Sequence, residues 1–173
     1  EIILPDKIEK EENVFMYINH DLDVSIGNSA ILIENVKREI ERMYDISSKN
    51  ILLGLDDLLN KNSNHRDEIV ANEDLVDKLN DGITRYITLS LPHETNKKES
   101  EIYGAYLNIS TDIERLSDHA QNLSDTAEEI YSGNIKLSDA VYKELAELST
   151  ALKDMINNAL VPEKFVEVEL LES

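Results

Sequence analysis

Residues 112–122 read Asp-Ile-Glu-Arg-Leu-Ser-Asp-His-Ala-Gln-Asn, and this stretch decides how the chain folds. Apolar residues continue on both sides of it at alternating steps of four and three, the spacing of one face of a long helix. That face runs through Ile102, Tyr106, Ile109, Ile113, Leu116, Ala120, Leu123, Ala127 and Ile130. The pattern therefore predicts a long helix whose apolar face packs at the centre of the core.

Similar spacing predicts three further helices in the chain. Together with the helix around residues 112–122, the four helices are expected at about residues 24–61, 67–92, 96–131 and 138–162. Short polar loops join them, so neighbouring helices must pack antiparallel. The expected fold is an all-α, up-down antiparallel bundle of three long helices plus a fourth helix. The inward positions predicted for the fourth helix are Leu145, Leu148, Leu152, Met155 and Ala159.

The net charge of −19 excludes some classes of function. Nucleic acid binding draws on clustered Lys and Arg, and this surface would repel a phosphate backbone. The same charge disfavours a helix lying on an anionic membrane. The absence of Cys excludes thiolate metal sites and cysteine nucleophiles. No apolar run approaches the roughly 20 residues that span a bilayer. The charge does suit cations as partners.

Two pairs of carboxylates are the candidate ligands for such a cation. Glu114 and Asp118 are four residues apart, just off the apolar stripe, and Glu73 and Asp77 repeat the spacing on the second helix. Residues four apart lie on one side of a helix, so each pair can direct its oxygens at one ion. Ordinary solvated charge explains either pair equally well, because 36 acidic residues produce this spacing by chance. Both interpretations remain open from the residues alone.

The run Glu-Arg-Leu-Ser-Asp-His-Ala-Gln-Asn-Leu at 114–123 resembles the signature of PhoU domains, helical proteins that regulate phosphate uptake. Upstream, residues 17–23 and 39–43 resemble the lead-in and first helix of one subgroup. That subgroup is the cytoplasmic PhoU-like domain at the C-terminus of bacterial Na/Pi cotransporter family proteins. The resemblance covers roughly residues 15–160, and it departs at Ser117, where many PhoU sequences carry Gly.

The resemblance implies a regulatory domain and not an enzyme, located on the cytoplasmic face of the plasma membrane as part of an integral membrane protein. Residues 1–20 would be a linker from an upstream, membrane-embedded region, with a short amphipathic stretch near Val14–Ile18. Residues 21–160 would form the bundle, and 161–173 a tail or the start of an unfinished second repeat. The expected partners are the transporter region of the same polypeptide and, through the uncovered fourth helix, a second copy of the chain.

PhoU relatives carry metal on their outer helix surface, so the resemblance implies that Glu114 and Asp118 bind a divalent or ferric ion. Glu73 and Asp77 would converge with them in the bundle. The alternative from another class is a ligand-free structural coiled coil or dimerisation module. A metal-carboxylate enzyme of the four-helix kind needs inward Glu residues and Glu-x-x-His pairs. This chain has no Glu-x-x-His, and it has no recognisable catalytic group.

Overall fold

The computed structural model of the protein describes residues 14–18 and 29–159. Its helices are α1 (Ser29–Asn60), α2 (Arg66–Ser90), α3 (Lys97–Ser132) and α4 (Asp139–Ala159), with a 3₁₀ turn at Leu91–His93 after α2. No strand occurs among the described residues, so the all-α prediction is confirmed. The first helix is predicted to start at Val24 and the fourth to end at Pro162, and both positions lie outside the described residues. None of the helices in the described part is long and apolar enough to cross a membrane.

Local chemistry explains where the helices end. The Asn96 side chain accepts a hydrogen bond from the Lys98 backbone N–H at 3.0 Å, which caps the start of α3. Pro92 lies in the 3₁₀ turn after α2 and cannot continue the α-helix. At the end of α3 the chain turns through Asn134, whose φ of 52° is left-handed, while Gly133 keeps a negative φ. Asn tolerates this conformation better than most residues.

Contacts between helices establish the up-down topology. Asn50 in α1 donates to the Ile69 carbonyl at the start of α2, and Arg66 in α2 pairs with Asp125 near the end of α3. α4 then returns along α1, because the Lys61 ammonium lies 4.2 Å from the Tyr142 ring centre and Ile156 packs against the cluster that contains Ile51. The chain therefore runs up, down, up and down, as the sequence predicts.

The face of α3 that is buried in the core, which we name the core seam, is rotated relative to the predicted apolar stripe. Four predicted positions, Tyr106, Ile113, Ala120 and Ala127, are buried, but the alternating positions Ile102, Ile109, Leu116, Leu123 and Ile130 are only half-buried. Their places at the seam are taken by Tyr103, Ser110, Ser117 and Ser124, all 0–1 % exposed. The apolar pattern missed this column because three of its four members are polar residues.

Small side chains let α1 and α3 approach closely. A Cβ atom on Gly54 would lie 3.0 Å from the Ala120 carbonyl oxygen and 3.1 Å from the Leu123 Cβ. Ala120 and Ser124 contribute backbone atoms to the same contact and carry small side chains. Ser117 is fully buried one turn before Ala120, which shows that Ser fits the position where many PhoU sequences carry Gly. Close approach explains why small polar residues, and not Leu, occupy the seam.

α4 packs less completely than the other helices. Ser149 is buried, and Leu145, Leu152 and Ile156 are half-buried against the bundle. The prediction was wrong for Leu148 and Met155, which are 49 % and 66 % exposed, and the side chain of Ala159 lies outside the described residues. The two exposed residues turn away because the face centred on Ser149 is the one that meets α1. Val141 adds to the apolar surface left open on α4.

Candidate metal centre

Three carboxylates from two helices meet at the surface of the bundle. Glu73 and Asp77 lie one turn apart on α2, and Asp118 lies opposite them on α3. One oxygen from each side chain lies within 4.8 Å of the other two. The packing of the two helices sets this geometry. Val76 and Ser117, the sequence neighbours of Asp77 and Asp118, are buried at 0 % exposure, so the two acids lie beside the buried contact. We name Glu73, Asp77 and Asp118 the acidic trio.

Glu114 lies beside the acidic trio but does not belong to it. Its pKa is raised by partial burial first and then by the charges of Asp118 and Asp77, while Arg115 opposes the rise. The two Glu-x-x-x-Asp pairs therefore converge on one patch, as the sequence suggested. One oxygen of Asp118 lies within 4.8 Å of oxygens of both α2 carboxylates. Whether any of the four residues ligates a metal stays a prediction.

The carboxylates of the patch repel one another. The pKa of Glu73 is raised by partial burial and by the charges of Asp77, Asp74 and Asp118. The pKa of Asp77 is raised by burial, by Asp118 and by Asp81, although a hydrogen bond with Glu73 opposes the rise. None of the ion pairs formed within residues 14–18 and 29–159 includes a member of the acidic trio. A bound cation would relieve this repulsion.

Asp81 is a contributor that the sequence analysis missed. It lies four residues after Asp77 and raises the pKa of both Asp77 and Glu114 through its charge. The signal was present, because Glu73, Asp77 and Asp81 continue one four-residue spacing along α2. Two other carboxylates near Glu114 and Asp118 form ion pairs of their own. Asp112 pairs with Arg115 at 3.5 Å, and Asp125 pairs with Arg66 at 2.8 Å.

Repulsion in the acidic trio should appear as a pH dependence of stability. The raised pKa values mean that the folded protein holds these protons more tightly than the unfolded chain. Their contribution to stability is therefore present below the ordinary pKa values, 4.5 for Glu and 3.8 for Asp, and is lost as pH rises through the raised values. With a chelator present, Glu73→Gln/Asp77→Asn should gain stability relative to wild type between about pH 4 and about pH 7.

Urea unfolding of both proteins across this pH range measures the difference. Asp139→Asn/Glu144→Gln, which removes two exposed charges from α4, controls for the change in net charge. A stability difference that is the same at every pH, or equal in the control, would contradict close repulsion in the acidic trio.

A second cluster, Asp56, Asp57 and His65, closes the turn between α1 and α2. Asp57 is fully buried and accepts hydrogen bonds from the His65 backbone N–H at 3.1 Å and from its ring Nδ1 at 2.8 Å. The Asn62 N–H donates to the Asp57 carbonyl at 3.1 Å. These contacts satisfy backbone groups at a helix end, so the cluster has a structural role. Nothing in the spacing of the charged residues of this turn indicates that Asp57 is buried.

Comparison with known proteins identifies the family to which this bundle belongs. The family model described as PhoU domain matches residues 40–127, from within α1 almost to the end of α3. No curated protein and no solved structure matches the chain. The matched segment is just over half of the chain and contains the acidic trio and Glu114. PhoU domains are associated with the regulation of phosphate transport and are regulatory rather than catalytic. The chain belongs to the PhoU domain family.

Proposed function

We propose that this domain regulates phosphate transport as the cytoplasmic part of a sodium-dependent phosphate cotransporter family protein. It docks through its helix surfaces to the membrane transporter region of the same polypeptide, at the cytoplasmic face of the plasma membrane. The acidic trio, assisted by Glu114, binds a divalent or ferric cation that sets the charge of the docking surface. The observation that carries the proposal is the convergence of the two Glu-x-x-x-Asp pairs on one face of a PhoU bundle.

The chemistry of the patch favours a hard cation. Carboxylate oxygens are the ligands that Mg²⁺, Mn²⁺ and Fe³⁺ prefer, and three of them converge here with no ion pair to another described residue. A net charge of −19 further raises the concentration of cations near the surface. Three side chains leave part of a six-ligand shell to water or to a docked partner, so a cation can link the domain to another anionic surface.

Calorimetry with Mn²⁺, Mg²⁺ and Fe³⁺ tests cation binding. Asp77→Asn/Asp118→Asn removes one trio member from each helix, and we expect it to weaken binding at least tenfold, which is about 1.4 kcal/mol. The control Asp139→Asn/Glu144→Gln removes as much charge from α4 and should bind as wild type does. Equal heats for all three proteins would leave the acidic trio as solvated charge.

The transporter context has a separate test. The coding sequence directly upstream of Glu1 supports the proposal if it encodes apolar segments long enough to span a bilayer, about 20 residues each. A soluble enzyme or binding domain encoded there would contradict it, whatever the result for cation binding.

The second candidate function is a ligand-free dimerisation module, and the open apolar face of α4 favours it. Val141, Leu148 and Met155 are 38 %, 49 % and 66 % exposed and are spaced seven residues apart, so they line one side of the helix. Exposed apolar stripes of this kind commonly contact another protein surface. We expect the domain to self-associate through this stripe.

Analytical ultracentrifugation at about 10 to about 300 μM protein checks the prediction, a range in which interfaces of moderate strength assemble. Leu148→Glu/Met155→Glu should be monomeric throughout, while Lys143→Glu, on an exposed neighbouring position, should still associate. A wild-type protein that stays monomeric at the highest concentration would contradict self-association.

A further inference from the structure

Residues 14–18 lie in a groove formed by α1 and α2, and we name this segment the strap. Ile18 is 3 % exposed, and Val14 and Phe15 pack against the main apolar core. Met16 and Tyr17 are 70 % and 40 % exposed where the backbone bends, while Val14, Phe15 and Ile18 face the bundle. The strap precedes α1 in sequence but also contacts α2, which it reaches through Phe15.

A buried carboxylate recognises the backbone of the strap. The Glu39 side chain is 0 % exposed, and its Oε1 accepts hydrogen bonds from the N–H groups of Met16 and Tyr17, the latter at 2.6 Å. Arg42 donates to Glu39 Oε2 at 3.0 Å and to the Val14 carbonyl at 2.9 Å. Two consecutive N–H groups and one carbonyl are thus bound by a single ion pair. Such charge-assisted bonds are stronger than neutral ones, and they do not depend on the side chains of the strap.

A glycine provides the place for the aromatic ring of the strap. A Cβ atom on Gly82 would lie 2.0 Å from Phe15 Cζ and 2.7 Å from Cε2, so only glycine at this position of α2 leaves room for the ring. Gly within a helix costs about 1 kcal/mol relative to Ala. The ring contact offsets that cost. The Arg38 guanidinium lies 5.4 Å from the Tyr17 ring centre and adds a second aromatic contact on the outer side.

We propose that the groove framed by Glu39, Arg42 and Gly82 is a docking site for a short peptide segment that bends over Glu39, with the chain's own residues 14–18 as its occupant. The site selects an aromatic residue followed three positions later by an aliphatic one, as Phe15 and Ile18 provide. Docking holds the chain that precedes α1 against α2 and so fixes the direction in which it reaches the bundle. The inference is independent of cation binding and of the proposed function.

Hydrogen exchange of the full chain measures docking of the strap. The Met16 and Tyr17 amides should exchange slowly in wild type, and at least tenfold faster in Gly82→Ala, because the new methyl group displaces the Phe15 ring. Gly104→Ala is the matched control, since a Cβ there meets nothing within 4 Å. Phe15→Ala, which leaves both helices unchanged, should also accelerate exchange. Fast exchange in wild type, or equal rates in all four proteins, would overturn the proposal.

A peptide binding experiment tests whether the groove accepts an occupant. Phe15→Asp should expel the strap, because a carboxylate would lie in the apolar space beside Gly82. A fluorescent peptide with the sequence of residues 11–20 should then bind this variant saturably and should bind wild type at least tenfold more weakly. In Phe15→Asp/Gly82→Ala the added methyl group fills the space for the aromatic ring, so this variant should bind the peptide as weakly as wild type does. Equal binding to all three proteins, or binding to none, would overturn the docking site.

Discussion

Replacing Ala120 by Asp is expected to lower the free energy of unfolding by about 4 kcal/mol, which is a large part of the total stability of a small domain. Ala120 is fully buried at a close approach of α1 and α3, and its carbonyl oxygen lies 3.0 Å from the position of a Cβ on Gly54. A carboxylate there has no space, so folding must bury a charge at 0 % exposure or separate the helices. Urea unfolding followed by circular dichroism measures the loss.

Asn122→Asp is the control for this prediction. It adds the same charge to α3 two residues away, at an exposed position, and should change stability by less than about 0.5 kcal/mol. If Ala120→Asp unfolded at the same urea concentration as Asn122→Asp, α3 would not form the central seam of the core.

Replacing Asp57 by Ala is expected to cost about 3 kcal/mol, because it removes a fully buried carboxylate that satisfies two groups of His65. The His65 N–H at the start of α2 and the ring nitrogen would both lose their partner in a partly buried site. α2 carries two members of the acidic trio, so loosening its first turns should also weaken any cation binding. Thermal unfolding measures the effect on stability, and calorimetry measures the effect on binding.

Asp56→Ala provides a control within the same turn. Asp56 is adjacent in sequence, its side chain is 52 % exposed, and it lies 4.0 Å from the His65 ring nitrogen. Its removal should change stability by less than about 1 kcal/mol, as for most surface ion pairs. Equal losses in the two variants would mean that burial of Asp57 is not what holds the turn.

The helices could be predicted from the sequence because apolar spacing and loop chemistry act locally. The ends of α2 and α3 fall within one or two residues of the predicted positions, since Pro92 and the Gly133-Asn134 pair act on the adjacent backbone. The exact seam of α3 was not predictable in the same way. Ser110, Ser117 and Ser124 are buried because Gly54 and its neighbours bring α1 close, and that depends on a residue more than 50 positions away in sequence.

The candidate site shows the same division between local and distant information. The spacing of Glu73 with Asp77 and of Glu114 with Asp118 follows from the helix period and could be predicted. Which oxygens approach one another depends on how α2 packs on α3, and the structure groups Asp118 with the α2 pair. Glu39 was not identified at all, because nothing in a run of charged residues indicates that one of them is buried against a distant segment.

Anomalous diffraction from crystals of this domain soaked in Mn²⁺ tests whether the acidic trio holds a cation. We expect an anomalous peak within about 2.3 Å of carboxylate oxygens of Glu73, Asp77 and Asp118, and no peak there in Asp77→Asn/Asp118→Asn. A wild-type crystal without a peak between α2 and α3, or with Mn²⁺ bound only beside Asp56 and His65, would contradict it.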